Sequence, residues 1–542
     1  MKHFPALLFL AVPALAANCA DSRDLKLVNA KIATMDKNNT TVSELTIQNG
    51  HFDTVGKSGV HKVGPCEKVI DLHGATVVPG LIDNHNHIVL LGTRPGYDIR
   101  LETAASIAQL QAALQAKAKT VPAGAFITTL GDWNIKQFAE KRLPTRAELD
   151  KALPDHPYLM NGGGGTVTNS LGKTFFEAKG IPVSPEGVIA GPAFLPALNA
   201  LRAMQTFADQ KRGTADAMAW LASLGVTTSS DMGMFALPGS PDMQDASVAD
   251  TVESLNPWTA YDPFLALHRE GKMTTRLRIF FLTQDTRPDV PLLRERLLNM
   301  FPDFGDDMLK VSGIGEFAAA WNFRNGATPA NYETALQLVA KHGWAFQQHT
   351  LSLNEDQFTT STFEKVNAVT PIRDLHWAIG HVPKIDRPTL DRLKAIGAGV
   401  AVHGWLYLSG TDKNFGPPFR TIVDSGIQVG AGSDAAAVSV FDPWLEIYYM
   451  VTGKNSAGEL INPGQQLTRM EAMHLYTSEN GWYTHEVDKL GTIEPGKLGD
   501  LVVLSDDYFD SRKVSDEAIK GITSLLTIVD GKVVHDARRA VR

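Results

Sequence analysis

The residues best able to do chemistry in this 542-residue chain sit at the ends of short β-branched runs. The sharpest case is VVPGLIDNHNHIVLLG, where a Pro79-Gly80 turn leads through Leu81, Ile82 and Asp83 to His85 and His87. Alternate residues of a strand point to one side, so the two imidazoles share a face. Two imidazoles on one face form half of a site for zinc or a similar ion. His349 closes the run WAFQQHT, His381 closes HWAIGH and Asp434 closes IQVGAGSD. Any one of these alone reads as a capping or loop-bonded residue. Five such groups at successive strand ends read as a metal site. His403, in AVHGWLYLSG, ends another run, where it could stabilise an oxyanion or hold substrate, or simply pack beside Trp405 and Tyr407.

The chain contains two cysteines, Cys19 and Cys66. They cannot make a disulfide framework or a thiolate zinc cluster, so histidine, carboxylate or a modified lysine must hold any metal. A nucleophilic serine hydrolase lacks support, because no G-x-S-x-G elbow is present.

These groups need strands to carry them. The candidate strands after the His85 run are 225–232, 276–283, 307–314, 344–350, 376–382, 397–404 and 427–434. Amphipathic stretches such as SIAQLQAALQAKAKT, NYETALQLVAKHG and RPTLDRLKAIG alternate with them. That alternation predicts βα units and a parallel sheet, and so many units favour an α/β (β/α)₈ TIM-like barrel. At both ends of the chain the texture changes to short alternating runs with Asn49-Gly50 and Asp530-Gly531 hairpin turns. Residues 21–78 and 488–542 are therefore expected to build one small β-sandwich domain around a barrel at 79–487. The stretch 236–259 reads as a long surface loop.

With 51 Lys+Arg against 59 Asp+Glu the formal charge is −8, which offers no electrostatic reason to expect nucleic acid or an anionic membrane. Hydrophobic residues at 44% and charged residues at 20% exclude a mainly disordered chain. Residues 1–20 read as a signal peptide: Lys2 and His3, then FPALLFLAVPALAA, with Ala14-Leu15-Ala16 as the cleavage signal. The expected location is the periplasm or outside the cell. A lipoprotein anchored at Cys19 is a weaker reading, because Asn18 stands where a small residue is wanted. No later apolar run is long enough to span a membrane. The expected partner is a small-molecule substrate, and a homo-oligomer is left open.

Residues 79–87, with His349, His381 and Gly432-Ser433-Asp434, resemble the metal-dependent amidohydrolase superfamily. LGTIEPGKLGDLVVLSDD resembles the return from barrel to small β domain in those enzymes. ITTLGDWNIKQF, LPTRAELDKALPDHPYLM and TNS resemble the branch called amidohydrolase family 3, which includes N-substituted formamide deformylases. The resemblance implies a barrel, a composite β-sandwich and one or two divalent ions, with zinc the expected metal. It implies that His85 and His87 bind one ion and that Asp434 binds it while serving as base. His349 and His381 would bind a second ion, or share ligand and substrate roles in one-metal relatives. Lys310, on DMLKVSG, matches the carboxylated lysine that bridges two ions, with Glu316 as the rival carboxylate.

Two departures stand out: Ser312-Gly313-Ile314-Gly315-Glu316 replaces an Asp-Gly, and a glycine run at 162–165 replaces a histidine before Asn169-Ser170. That run, Gly164 included, could admit substrate close to the backbone, and Trp133 and Phe138 could wall the pocket.

The expected reaction is hydrolysis of a C–N bond in a non-peptide or cyclic amide by metal-activated hydroxide, with Asp434 as general base. The alternatives are a one-metal deaminase of the same fold, a lactone hydrolase and an inactive binding protein.

Overall fold

The computed structural model describes residues 19, 22–56, 64–233, 259–283, 285, 287–319, 329–436 and 438–540. The expected signal peptide, Cys19 apart, and the expected loop at 236–259, Thr259 apart, lie outside the described residues.

Eight parallel strands form the central sheet: β1 (Leu81–Asn86), β2 (Val226–Asp231), β3 (Arg276–Phe281), β4 (Leu309–Glu316), β5 (Ala345–His349), β6 (Ala378–His381), β7 (Gly399–His403) and β8 (Val429–Gly432). Each pairs with the next, and β1 pairs with β2. The sheet closes on itself. The Asp434 N–H donates to His85 O at 2.8 Å, and the His87 N–H donates to Ala435 O at 2.6 Å. Helices cover the outside, so whole strands such as β2 and β3 are buried. The expected helices occur as Ile107–Ala118, Pro329–Lys341 and Arg387–Ala395. Ser106 and Asp386 cap two of them by accepting the Gln109 and Thr389 N–H groups.

Strands from both chain ends build two further sheets. The first runs His51–Val55, Leu45–Gln48, Leu25–Val28, Lys68–Asp71. The second runs Lys532–Asp536, Ser524–Val529, Leu501–Leu504, Thr76–Pro79, Lys31–Ala33, Thr41–Val42. Leu25, Leu45 and Ile47 share one core with Val77, Leu501, Val503 and Ile528, which makes the pair a sandwich. Asn49-Gly50 and Asp530-Gly531 turn its hairpins with positive φ at both central residues, as tight turns of that hand require. Two cysteines are too few for a framework, yet the structure joins Cys19 to Cys66 in a single disulfide. A sulfur in that bond carries no lipid.

Between β1 and β2 the chain makes a separate five-stranded sheet, ordered Val188–Ile189, Gly165–Thr168, Tyr158–Gly163, Ile127–Asn134, Tyr97–Asp98. The barrel expected at 79–487 includes this stretch, and the structure sets it apart as a sheet of its own. Its own apolar core holds Leu110, Ile127, Trp133, Phe138 and Tyr158. Arg94 ties it to the mouth of the barrel, donating to Asp132 Oδ2 at 3.0 Å and to the Ala436 carbonyl.

Candidate metal centre

His85 and His87 lie at the C-terminal end of β1, and His349, His381 and His403 end β5, β6 and β7. Asp434 follows β8 by two residues, and Glu316 ends β4. These seven side chains meet inside the barrel mouth, each less than one-tenth exposed. Glu316 Oε1 is the hub, 3.1 Å from His85 Nε2, 3.0 Å from His349 Nδ1 and 3.1 Å from His381 Nε2. Asp434 Oδ1 lies 3.5 Å from Nε2 of both His85 and His87, and its Oδ2 lies 3.3 Å from His381 Nδ1. His403 Nδ1 contacts His381 Nδ1 at 2.8 Å. His381 and Asp434 take left-handed backbone, φ +71° and +55°. Non-glycine residues pay about 1 kcal/mol or more for that, a strain that gathers at functional sites.

The electrostatics follow from packing two carboxylates among five imidazoles. Burial disfavours charge on His85, but hydrogen bonds to Asp434 and Glu316 outweigh it and push its pKa up to about 10. Burial would likewise neutralise Glu316 and Asp434. The surrounding histidines override that and hold both carboxyls well below the usual range. Burial, with the charge of His85 and His381, keeps His403 neutral.

Donor atoms fall into groups close enough for one cation: His85, His87, Glu316 and Asp434; Glu316, His349 and His381; and His85, His381 and His403. Glu316 Oε2 and His403 Nε2 are buried without a hydrogen-bond partner among the described residues. An anionic oxygen and an imidazole nitrogen left so in a buried cluster fit a divalent ion with nitrogen and oxygen preference.

Asp83 locks β1 to β8 beneath this cluster. It is buried, accepts the Ser433 hydroxyl at 2.6 Å and the Ser433 N–H at 3.0 Å, and accepts the His85 N–H at 3.1 Å. One side chain thus fixes the backbones that carry His85 and Asp434.

The structure does not bring Lys310 to the cluster. It is the second residue of β4, six before Glu316, and strand rise puts the two about 20 Å apart. Its ammonium donates to Thr484 O at 3.2 Å and lies 3.2 Å from Asp303 and 3.5 Å from Glu486. The carboxylate beside the histidines is Glu316, the rival named from sequence. The physical reason is strand length: β4 runs two residues beyond its expected end at 314, so the strand-end position belongs to Glu316.

Trp133 and Gly164 also stand elsewhere. Trp133, 2% exposed, stacks on Phe138 inside the insertion and donates its N–H to Asn161 O at 2.9 Å. Gly164 turns the adjoining hairpin, and a Cβ there would come within 2.3 Å of Ile135. The glycine run lets that hairpin pack tightly on its neighbour strand.

The amidohydrolase family model matches residues 68–535. The chain is 22% identical over 545 residues to N-substituted formamide deformylase from Arthrobacter pascens, covering 95% of this chain and 98% of that protein. An uncharacterized metal-dependent hydrolase from Pyrococcus horikoshii superposes with a TM-score of 0.59 at 19% identity, over 91% of this chain and 99% of that one. Zinc-complexed atrazine chlorohydrolase TrzN from Arthrobacter aurescens superposes with a TM-score of 0.56 at 14% identity, over 95% and 98% of the two chains. A family match spanning sandwich and barrel together, over a mouth lined by histidine and carboxylate, means that the chain belongs to the amidohydrolase family.

Proposed function

We propose that this metal-dependent hydrolase is an exported enzyme that opens the C–N bond of an uncharged non-peptide or cyclic amide, with Asp434 as general base. The observation that carries the reading is Glu316 Oε1 held at 3.0–3.1 Å by three imidazoles with Asp434 beside them. His85, His87, Glu316 and Asp434 would hold one ion, and Glu316, His349 and His381 would hold a second. A divalent ion in this setting polarises the scissile carbonyl and brings the pKa of water toward neutrality.

This chain's residues do the rest. Asp434, kept ionised, takes the proton from the attacking water and passes it to the leaving nitrogen. Glu316 Oε1 stands between His85, His349 and His381 and sets their spacing around the ion. His403, kept neutral, has an Nε2 without a partner among the described residues, free to be placed against the substrate oxygen. The deformylase activity named for the Arthrobacter pascens relative supports small N-substituted formamides as the first substrates to try. Export is supported by the Cys19–Cys66 disulfide, since such bonds persist in oxidising compartments.

The test is metal content by plasma mass spectrometry on protein purified without chelator, combined with turnover of N-substituted formamides, cyclic amides and lactones. One or two equivalents of a divalent metal with amide turnover is the expected result. Metal with lactone turnover alone would move the substrate class, and absence of metal from active protein would overturn the reading.

A further inference from the structure

Gln347 lies on β5 two residues before His349, so both side chains face the barrel interior. It is 1% exposed. Its Nε2 approaches Asn84 O at 3.4 Å, and its Oε1 meets His85 Nδ1. A carbonyl oxygen can only accept, so the Asn84 carbonyl orients the amide with its NH₂ outward and its oxygen on the imidazole. An amide oxygen also only accepts, so His85 Nδ1 must be the donor. The Nε2 of neutral His85 then carries a lone pair, on the side where Glu316 Oε1 stands at 3.1 Å and Asp434 Oδ1 at 3.5 Å. Only that lone pair can bind a cation.

The same logic holds at His87, whose Nδ1 meets the Gly233 carbonyl at 2.9 Å. There the acceptor is backbone. At His85 it is a side chain, buried and replaceable. The barrel makes room for it: on β6 a Cβ at Gly380 would lie 3.2 Å from Gln347 Oε1 and 3.2 Å from the His403 ring, tighter than most contacts.

We propose that Gln347 is a positioning residue that fixes the tautomer and ring orientation of His85 and thereby sets the affinity of the site for its divalent ion. The proposal rests on the reading that His85 is a metal ligand. Outer partners that hold a ligating histidine in this way typically change metal affinity by about 10–100-fold when removed.

The experiment compares wild type, Gln347→Met and Gln347→Glu as full chains. Metal affinity is measured by zinc titration against a chromophoric chelator, the unfolding midpoint on metal-free protein, and the imidazole tautomer by nitrogen-15 NMR of zinc-loaded protein. Gln347→Met keeps the volume and loses the acceptor, and is expected to weaken zinc binding about 10–100-fold. Gln347→Glu keeps an acceptor and is expected to bind zinc at least as tightly as wild type. A merely structural role would lower the unfolding midpoint of both variants and leave zinc affinity of the folded fraction unchanged.

Zinc affinity of Gln347→Met within threefold of wild type would overturn the proposal. So would a Gln347→Glu variant as weak as Gln347→Met. If Gln347→Met does not fold, zinc-loaded wild type decides: a proton on His85 Nδ1 with zinc on Nε2 is expected, and zinc on Nδ1 overturns the assignment. Failure of wild type to bind zinc or another divalent ion would instead sink the metal-ligand reading on which the proposal stands.

Discussion

At the N-terminal end of the barrel, β3 carries two buried arginines matched fork to fork with Glu486, at the end of the barrel segment, and Asp500, in the return segment. Arg276 meets Asp500 at 2.7 and 2.8 Å, and Arg278 meets Glu486 at 2.7 and 2.9 Å. At the C-terminal end, Glu316 and Asp434 face imidazoles, and Glu316 Oε2 and His403 Nε2 lack partners among the described residues. Both ends bury carboxylates of comparable cost. One end neutralises them with permanent cations of complementary shape. The other surrounds them with bases that can bind a proton or a metal. The first arrangement joins barrel to sandwich, and the second keeps unspent capacity where chemistry can use it.

Removing the carboxylates at the mouth tests the active side of this contrast most severely. Asp434→Asn leaves the volume unchanged and deletes the base, so turnover should fall about 10²–10⁴-fold. Glu316→Gln should also lower metal content, read by plasma mass spectrometry on the same preparation. Neither variant should unfold at markedly lower temperature, since the facing imidazoles, unlike an arginine, can release their protons and leave no unpaired charge. Full turnover in Asp434→Asn would take the base role away from it.

Arg278→Met addresses the other end. It leaves Glu486 buried with Lys310, at 3.5 Å, as its remaining cation among the described contacts. Breaking a buried pair by removing one partner costs about 3–5 kcal/mol. The stability loss should appear in urea unfolding while metal content per folded chain stays at the wild-type value. Burial would raise the Glu486 pKa, but the Arg278 charge holds it at about 2. Its stabilisation is therefore complete above the unfolded value near 4.5 and lost as pH falls toward 2. The variant should lose that acid dependence. A drop in metal content at unchanged stability would erase the distinction between the two ends.

How much of this was legible in the sequence depends on how local the signal is. The eight barrel strands and both hairpin turns rest on short patterns, β-branched runs and Asn-Gly or Asp-Gly pairs, and all of them occur. The sheet at residues 97–189 was not distinguished, because its strands and helices alternate just as barrel units do. What separates them is which strand pairs with which, and that is long-range. Glu316 ranks behind Lys310 in the sequence because Gly313 and Gly315 dilute the end of β4, and a strand drawn to stop at 314 leaves the glutamate outside it. Extending that strand to its last residue would have put Glu316 at a strand end like His349 and His381. The Arg276 and Arg278 pairs span 224 and 208 residues, and no periodicity announces them. The same holds for the disulfide, which joins cysteines 47 positions apart.

A smaller effect separates the two ends by pH. Asp442 caps the helix Pro443–Thr452 above the mouth, accepting the Trp444 N–H at 2.9 Å. Burial, reinforced by the nearby charge of Glu102, pushes its pKa up to about 8. The folded state then holds a proton that the unfolded chain releases near pH 4. The sign is opposite to that of Glu486: this contribution is present below about pH 4 and is lost as pH rises toward 8. Asp442→Asn keeps the cap and removes the titration. Its stability relative to wild type should rise by about 3–4 kcal/mol between pH 5 and pH 8, measured by urea unfolding at both. Equal slopes in the two proteins would assign the alkaline loss elsewhere.

The smallest expected effect is at Lys310, and it discriminates most sharply between the two ends of one strand. Lys310 and Glu316 share β4, yet the ammonium faces Asp303, Thr484 and Glu486 while the carboxylate faces histidines. A lysine that bridges two ions must be carboxylated and must stand among the ligands, which this placement denies it. Its side chain is 12% exposed, and its partner Glu486 keeps the tighter contact with Arg278. Lys310→Met should therefore cost on the order of 1 kcal/mol in stability, the scale of a peripheral charged contact. Metal per chain should equal wild type, with or without bicarbonate during purification. Loss of half the metal in Lys310→Met, restored in wild type by bicarbonate, would move the bridge from the top of β4 to its base. The contrast between the two ends of the barrel would then fail at the strand that displays it best.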